Sequence, residues 1–169
     1  MRSADVLVDA FGRIHEAVHR VVDGLTPEDL GFRVDSEANT IAWLVWHLTR
    51  IQDDHIAGAA QTEQAWLSGG WRERFDLPFD RMATGYGQRA DDVNAVQVQS
   101  GDLLLGYHDA VYEQTVRYVR GLTDDDLARI VDASWTPPVT QGVRLVSVLA
   151  DDLQHVGQAA FVRGIVQRR

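Results

Sequence analysis

The sequence predicts an all-α protein, a four-helix bundle with one long middle crossover connection. Apolar residues recur at steps of three and four in four separate segments, which is the period of an amphipathic helix. Between residues 68 and 100 this period is lost and glycines cluster, a pattern typical of a crossover or a lid. Four helices with one long connection between the second and the third make the bundle.

Each helix has boundary signals of its own. Gly24 and Gly121 follow the last apolar positions of the first and third helices, where a helix commonly ends. Asn39 and Ser100 are residue types that cap helix N-termini, and they precede the second and third helices. The predicted bounds are about 3–23, 39–60, 100–121 and 142–164 or beyond.

A short motif occurs twice in the chain. Gly-Leu-Thr-Pro-Glu-Asp-Leu at 24–30 recurs as Gly-Leu-Thr-Asp-Asp-Asp-Leu at 121–127. Each copy predicts a helix stop, a Thr N-cap and a short acidic helical turn. The repeat indicates either two helix pairs related by a pseudo-twofold axis or the same capping chemistry used twice.

Length and charge limit the kind of protein. The 169 residues are predicted to form one domain, residues 1–169, around a full hydrophobic core. The 25 acidic and 16 basic residues give a net charge of -9, which disfavours nucleic acid and anionic lipid as partners. No apolar run approaches the ~20 residues of a membrane span, and the N-terminus is polar from Arg2 onward. We therefore expect a cytoplasmic protein without a membrane partner.

The chain contains no cysteine. Disulfides, thiolate metal ligands and a thiol nucleophile of the protein itself are therefore excluded. Any sulfur chemistry has to use a small-molecule thiol. Every basic residue is Arg, a bias that a GC-rich genome favours.

Two residues of the last helix are candidates for metal ligands. Asp151 and His155 stand four apart, so their side chains project from one face, as two ligands of one ion require. Apolar neighbours surround them, and a buried carboxylate needs a partner for its charge. His47 lies in the most apolar helix, within Trp-Leu-Val-Trp-His-Leu at 43–48. The residues alone leave a second interpretation open, in which His47 bonds a backbone carbonyl while Asp151 and His155 bond each other or face solvent.

For the other histidines and acidic residues near these positions, a structural role is favoured over a functional one. Asp152 is expected to be a solvated surface charge, because its preceding neighbour faces inward. His15 and His19 are expected on an exposed edge of the first helix, with no acidic residue of that helix beside them. His108 lies in the inner stripe of the third helix. It is interpreted either as a core histidine or as a residue that binds the ion or one of the ion's ligands.

Arg144 is a candidate for binding a cofactor or substrate. It precedes Asp151 by two helical turns, and Asp54 follows His47 by two turns on the second helix. If the two helices are antiparallel, Arg144 and Asp54 meet and form a structural ion pair. The functional interpretation makes Arg144 a clamp for a substrate carboxylate.

The helices that carry these candidates resemble those of the DinB-like metal-dependent bundle enzymes. This family includes the mycothiol-dependent maleylpyruvate isomerases and S-transferase-like proteins that use mycothiol, bacillithiol or glutathione. The similar parts are the segment 43–48 and Asp-Asp-Leu-Gln-His-Val-Gly-Gln at 151–158, and the resemblance covers nearly the whole chain. It implies that His47, Asp151 and His155 are metal ligands. The chain resembles the mycothiol-dependent isomerases in having an acidic residue, Asp151, between the two histidines. This likeness favours mycothiol as the thiol.

The resemblance implies a metal-dependent thiol S-transferase. Two histidines and one carboxylate leave a divalent ion with open coordination positions, which is typical of a catalytic site. Zinc is the expected ion, with nickel, iron or manganese as alternatives. The partners would be a low-molecular-weight thiol and a small electrophile that is modified or isomerised, and the family implies a homodimer through a helix face. A metal-dependent hydrolase and a non-catalytic ligand-binding or stress-associated bundle are the alternative functions.

Overall fold

Four long helices pack around one apolar core in the computed structural model, which describes residues 2–169. The predicted all-α bundle is confirmed. Among the described residues the only strands are two short ones, which pair antiparallel beside the start of the last helix. In chain order the elements are α1 (Ser3–Val22), α2 (Pro27–Leu30), α3 (Ile41–Ala60), α4 (Ala65–Ser68), α5 (Trp71–Phe75), α6 (Ala90–Ala95), α7 (Gly101–Arg120), α8 (Asp124–Leu127), β1 (Ile130–Asp132), β2 (Val139–Thr140) and α9 (Gln141–Val166).

The long helices begin and end close to the predicted residues. Ser100 caps α7 as expected, since its Oγ accepts a hydrogen bond from the backbone N–H of Asp102 at 3.1 Å. The cap of α3 is Thr40, whose Oγ1 accepts from the backbone N–H of Trp43 at 3.0 Å. The prediction of Asn39 as this cap is wrong by one residue, because two capping types are adjacent and it is Thr40, with an extended backbone, whose side chain accepts the bond.

The long helices occupy the four corners of the bundle. α1 and α3 lie diagonally opposite each other, and each packs against both α7 and α9. The α3–α9 and α1–α7 interfaces therefore lie on opposite sides of the core. No helix within residues 2–169 combines the length and the apolar content needed to cross a lipid bilayer.

Both copies of the repeated motif form a capped helical turn, α2 and α8. Thr26 and Thr123 each accept a hydrogen bond from the backbone N–H of the aspartate three residues on, and each aspartate accepts one from the Thr backbone N–H. The predicted Thr caps are confirmed at both places. The helix pairs α1–α3 and α7–α9 therefore correspond in order and in the capping of the turn between them.

Buried side chains of α3 hold the first part of the crossover, where α4 and α5 form short helices that the sequence did not predict. Asp53 accepts hydrogen bonds from the backbone N–H groups of Ala65 and Trp66 at 2.9 and 2.7 Å. It also accepts one from the hydroxyl of Tyr107 at 2.8 Å. The fully buried guanidinium of Arg50 lies 3.6 Å from the same carboxylate. These contacts tie the crossover to α3 and α7.

Candidate metal centre

α3 and α9 bring His47, Asp151 and His155 together at their interface. Each residue offers one ligand atom, and the three atoms lie within 4.8 Å of one another. Asp151 and His155 are one turn apart on α9, with 3.6 Å between Asp151 Oδ1 and His155 Nε2. The His47 ring meets the His155 ring edge-on, with 4.7 Å between the ring centroids. The three residues singled out in the sequence thus form one cluster.

His47 is held in one orientation by its surroundings. Its side chain is 5% exposed and its ring stacks on Trp43, with centroids 4.6 Å apart. Nδ1–H donates a hydrogen bond to the backbone carbonyl of Thr84 at 2.6 Å. Gly85 permits this close approach, because a Cβ at that position would lie 2.6 Å from Nδ1. With Nδ1 donating, Nε2 carries the lone pair that can bind an ion.

His155 is supported in the same way from its own helix. Its Nδ1–H donates to the side-chain oxygen of Gln158, one turn further along α9, at 3.3 Å. Nε2, which lies 3.6 Å from Asp151 Oδ1, is then the nitrogen that can exchange its proton for an ion. A hydrogen bond from one ring nitrogen to an oxygen acceptor is the usual support of a metal-binding histidine, because it fixes the tautomer and the ring orientation.

Burial and neighbouring groups set the charges of the cluster. Burial lowers the pKa of His47, which keeps its ring neutral near pH 7. Burial acts to raise the pKa of Asp151, but the hydrogen bond and charge of His155 outweigh it, so the net shift is downward. A hydrogen bond that the protonated ring of His155 donates to the Asp151 carboxylate raises the pKa of His155, against the effect of burial. The cluster therefore presents an anionic carboxylate between two imidazoles.

These features fit a divalent metal ion. Oδ2 of Asp151 is buried and has no hydrogen-bond partner within residues 2–169, and such an oxygen is destabilising unless a donor or a cation meets it. Two imidazole nitrogens and one carboxylate oxygen are a donor set that zinc and related first-row ions accept. Three such ligands would leave coordination positions of an ion open for a substrate.

Asp152 is not the solvated surface charge that the sequence predicted. It is fully buried, and neither carboxylate oxygen has a hydrogen-bond partner among the described residues. Consecutive helical residues lie about 100° apart, and α9 packs against both α3 and α1, so the buried part of its surface is wide enough to include Asp151 and Asp152. Burial, with the charge of Asp151, raises the pKa of Asp152 well above its usual value, which favours the neutral acid.

Arg144 does not form the expected ion pair with Asp54. Its Nη2 donates to Asp132 of β1 at 2.8 Å, and its Nη1 lies 3.4 Å from Nδ1 of His55. Asp54 instead accepts a hydrogen bond from Gln64 at 2.7 Å. α3 and α9 are antiparallel, since His47 meets His155 and His55 meets Arg144, but the β1 strand places its own carboxylate at this end of the interface.

Three of the other histidines divide into a core residue and a half-buried pair. His108 is 1% exposed and its Nδ1 lies 3.1 Å from Thr49 Oγ1, which confirms the interpretation as a core histidine. His15 and His19 are only partly exposed, because α7 packs beside them and places Asp109 against both rings. The expectation of a simple exposed helix edge is therefore wrong for this pair.

Two residues that orient the cluster were missed in the sequence. Gln158 follows His155 by three residues, a spacing that puts both on one helix face, so a local signal for its contact existed. Thr84 is 37 residues from His47 in the chain and lies in an irregular segment. Nothing in the local pattern connects those two positions.

Comparison with known proteins places the chain among others of this fold. A family model described as mycothiol S-transferase matches residues 6–167. Among solved structures, a crystal structure described as the conserved protein of a locus from Enterococcus faecalis is 28% identical to the chain. It has a TM-score of 0.92 and the match covers 100% of this chain and 99% of that one. No match is found among curated proteins.

Proposed function

Since the chain belongs to the mycothiol S-transferase family, we propose that it is a metal-dependent enzyme that transfers a low-molecular-weight thiol, mycothiol, to a small electrophile. One observation carries the proposal. In the cluster of His47, Asp151 and His155 both rings donate Nδ1–H to an oxygen, which leaves both Nε2 atoms and a buried carboxylate oxygen for one ion. This arrangement supports a catalytic ion in preference to a hydrogen-bonded polar core.

The protein supplies ligands for an ion and takes its sulfur from elsewhere. The chain has no cysteine, so the reacting thiol has to come from a small molecule. Zinc held by the cluster would lower the pKa of a coordinated thiol, so that it is a thiolate near neutral pH. The stacked ring of Trp43 covers His47 on one side and limits the access of water to that ligand.

A cleft beside the cluster offers room for a substrate. It has a volume of about 540 Å³ and lies between the first turn of α3 and the second half of α9. Gln158, which orients His155, forms part of its wall, and a substrate bound in the cleft would have to extend past Gln158 to reach the three cluster residues, which do not line it. The other side chains include several apolar ones, which suit the apolar part of an electrophile. The cleft is lined by Val34, Asn39, Leu44, Gln158, Phe161 and Val162.

Arg144 lies toward the opposite end of the α3–α9 interface and is proposed to bind a substrate carboxylate. Two helical turns separate it from Asp151, a distance of about 10 Å along the helix axis. Its Nη2 is held by Asp132, which fixes the side chain and leaves further N–H donors of the guanidinium for an anion. A substrate that spans from the ion to Arg144 would carry its carboxylate at that distance from the reacting carbon.

Elemental analysis of protein purified without a metal-affinity tag is the first experiment. We expect His155→Ala to contain one equivalent of zinc less than wild type. Gln154→Ala is the matched control, because Gln154 neighbours His155 and, among residues 2–169, its side chain bonds only to the carbonyl of Ala150 on its own helix. Equal metal content in wild type and His155→Ala would overturn the site.

Turnover is tested with the zinc-loaded protein, mycothiol and chlorodinitrobenzene. We expect a thioether to form at a rate that falls to background in His155→Ala and is retained in Gln154→Ala. Hydrolysis of an ester or amide substrate without any thiol would assign the metal-dependent hydrolase instead. Bound zinc without turnover over a panel of electrophiles would contradict the transferase and favour a non-catalytic bundle.

A further inference from the structure

A second cluster of potential metal ligands lies across the bundle from the first, between α1 and α7. His15 and His19 are one turn apart on α1, and Asp109 reaches them from α7. Nε2 of His15 lies 2.8 Å and Nε2 of His19 lies 2.6 Å from the same oxygen of Asp109. The three ligand atoms lie within 4.8 Å of one another, as they do in the first cluster.

Neighbouring rings fix the orientation of the first histidine. His15 stacks on Tyr112 with centroids 4.1 Å apart and an angle of 18° between the ring planes. It also lies nearly parallel to the buried ring of His108, with centroids 5.7 Å apart. The His19 ring contacts the His15 ring at 4.6 Å. Because these contacts already restrict the side chains, an ion would find its ligands largely in place.

We propose that His15, His19 and Asp109 bind a divalent transition-metal ion of the zinc class. Bonds of about 2.0–2.1 Å to zinc place tetrahedral ligand atoms about 3.3 Å apart, so the contacts of His15 and His19 with Asp109, at 2.8 and 2.6 Å, have to lengthen by about 0.5 and about 0.7 Å. A neutral imidazole can carry its hydrogen on Nδ1, which frees Nε2 to bind the ion. The three side chains are partly exposed, so an ion can reach them directly from solvent.

The ion would tie together two helices that are distant in the chain. α1 contributes an i, i+4 ligand pair and α7 contributes one ligand, just as α9 and α3 do in the first cluster. The two clusters lie at the α1–α7 and α3–α9 interfaces, on opposite sides of the core. An ion that binds the folded chain and not the unfolded one stabilises the fold by mass action. The second site therefore acts on the packing of α1 against α7 and does not depend on the proposed transferase function.

The test uses the full-length, untagged double variant His47→Ala/His155→Ala, which removes the first cluster. After equilibrium dialysis against zinc chloride, we expect this variant to retain one equivalent of zinc. Adding His19→Ala should remove that equivalent, and adding Asp109→Asn should do the same with little change in side-chain volume. Asp9→Asn is the matched control, because Asp9 is an exposed carboxylate of α1 whose partner is Arg13.

The measured outcomes separate the two sites. If the double variant binds no zinc, or if its zinc survives the addition of His19→Ala, the second site is overturned while the first is unaffected. Circular dichroism of every variant in the presence of a chelator shows whether it is folded before binding is compared. As a second measurement, zinc should raise the unfolding temperature of the double variant, and His19→Ala should abolish that increase.

Discussion

Replacing Gly85 with alanine should perturb the cluster of His47, Asp151 and His155 without changing any of the three proposed ligands. Gly85 has a φ of +94° in the loop whose Thr84 carbonyl accepts the His47 Nδ1–H. A Cβ at this position would lie 2.6 Å from His47 Nδ1 and 3.0 Å from an atom of Trp46. Both separations are shorter than van der Waals contact, so the loop or the His47 ring has to move.

The expected effect of Gly85→Ala has two separable parts, one on stability and one on zinc affinity. A left-handed backbone conformation costs a residue other than glycine about 1–2 kcal/mol, which lowers the free energy of unfolding of the metal-free protein. Loss of the hydrogen bond that orients a metal ligand typically weakens metal binding by about 10- to 100-fold. Gly87→Ala isolates the first part, because Gly87 has a φ of +74° and, within residues 2–169, no heavy atom beyond its chain neighbours lies within 4 Å of an added Cβ. We therefore expect both variants to be destabilised but only Gly85→Ala to bind zinc more weakly.

Two measurements distinguish these parts. Urea unfolding in the presence of a chelator gives the free energy of unfolding of each variant, and competition with a chromophoric chelator gives its zinc affinity. If folded Gly85→Ala binds zinc as tightly as wild type, the Thr84 carbonyl does not control the His47 ring. If Gly87→Ala loses as much affinity as Gly85→Ala, strain in the loop explains the loss and the contact with His47 does not.

Three further predictions concern buried and charged side chains. Burial lowers the pKa of His108 from 6.5 to about 3, so the unfolded chain takes up a proton below pH 6.5. The contribution of His108 to the free energy of unfolding is complete above pH 6.5 and should fall by about 1.4 kcal/mol per pH unit between pH 6.5 and about 3. If urea unfolding of His108→Gln depends on pH as steeply as that of wild type, this prediction is contradicted. Asp53→Ala leaves the buried Arg50 without its carboxylate and should lower the free energy of unfolding by about 3–5 kcal/mol. Tyr107→Phe removes the hydrogen bond to Asp53 and an acceptor of Arg50 but leaves the two charges paired, so it should lower the free energy of unfolding by only about 2 kcal/mol. Equal losses for the two variants in urea denaturation would refute the charge argument. Arg144→Gln should raise the KM of a carboxylate-bearing electrophile with no change in zinc affinity, and steady-state kinetics with an equally low KM would exclude the clamp.

The positions of the long helices follow from local patterns. In α1 the buried residues Phe11, Ile14 and Val18 recur at the predicted steps, and a stripe of this kind is buried whatever helix packs on it. The short helices α4, α5 and α6 have four to six residues, too few for a helical period to be recognised. Their positions depend on tertiary contacts such as the two backbone hydrogen bonds to Asp53.

The contacts that could not be predicted from the sequence are those between separate elements. The i, i+4 spacing of Asp151 and His155 lies within one helix, so it could be interpreted directly. The partners of Arg144 and of His15 come from other elements, β1 and α7, and their identity depends on how those elements pack. The prediction that Asp152 is exposed is wrong for the same reason, because the width of the buried surface of α9 depends on two neighbouring helices.

Burial of a histidine does not by itself distinguish a metal ligand from a core residue. His108 and His47 are both buried, and each donates Nδ1–H to an oxygen. His47 donates to the carbonyl of Thr84. His108 must be the donor to Thr49 Oγ1, because that hydroxyl already donates its own hydrogen to the carbonyl of Val45. The difference is the presence of a carboxylate and a second imidazole within reach. His47 has both, and His108 belongs to neither His/Asp group found within residues 2–169. His15 satisfies the same criterion through His19 and Asp109, which is why a partly exposed histidine is the better candidate for a second ion than the buried one beside it.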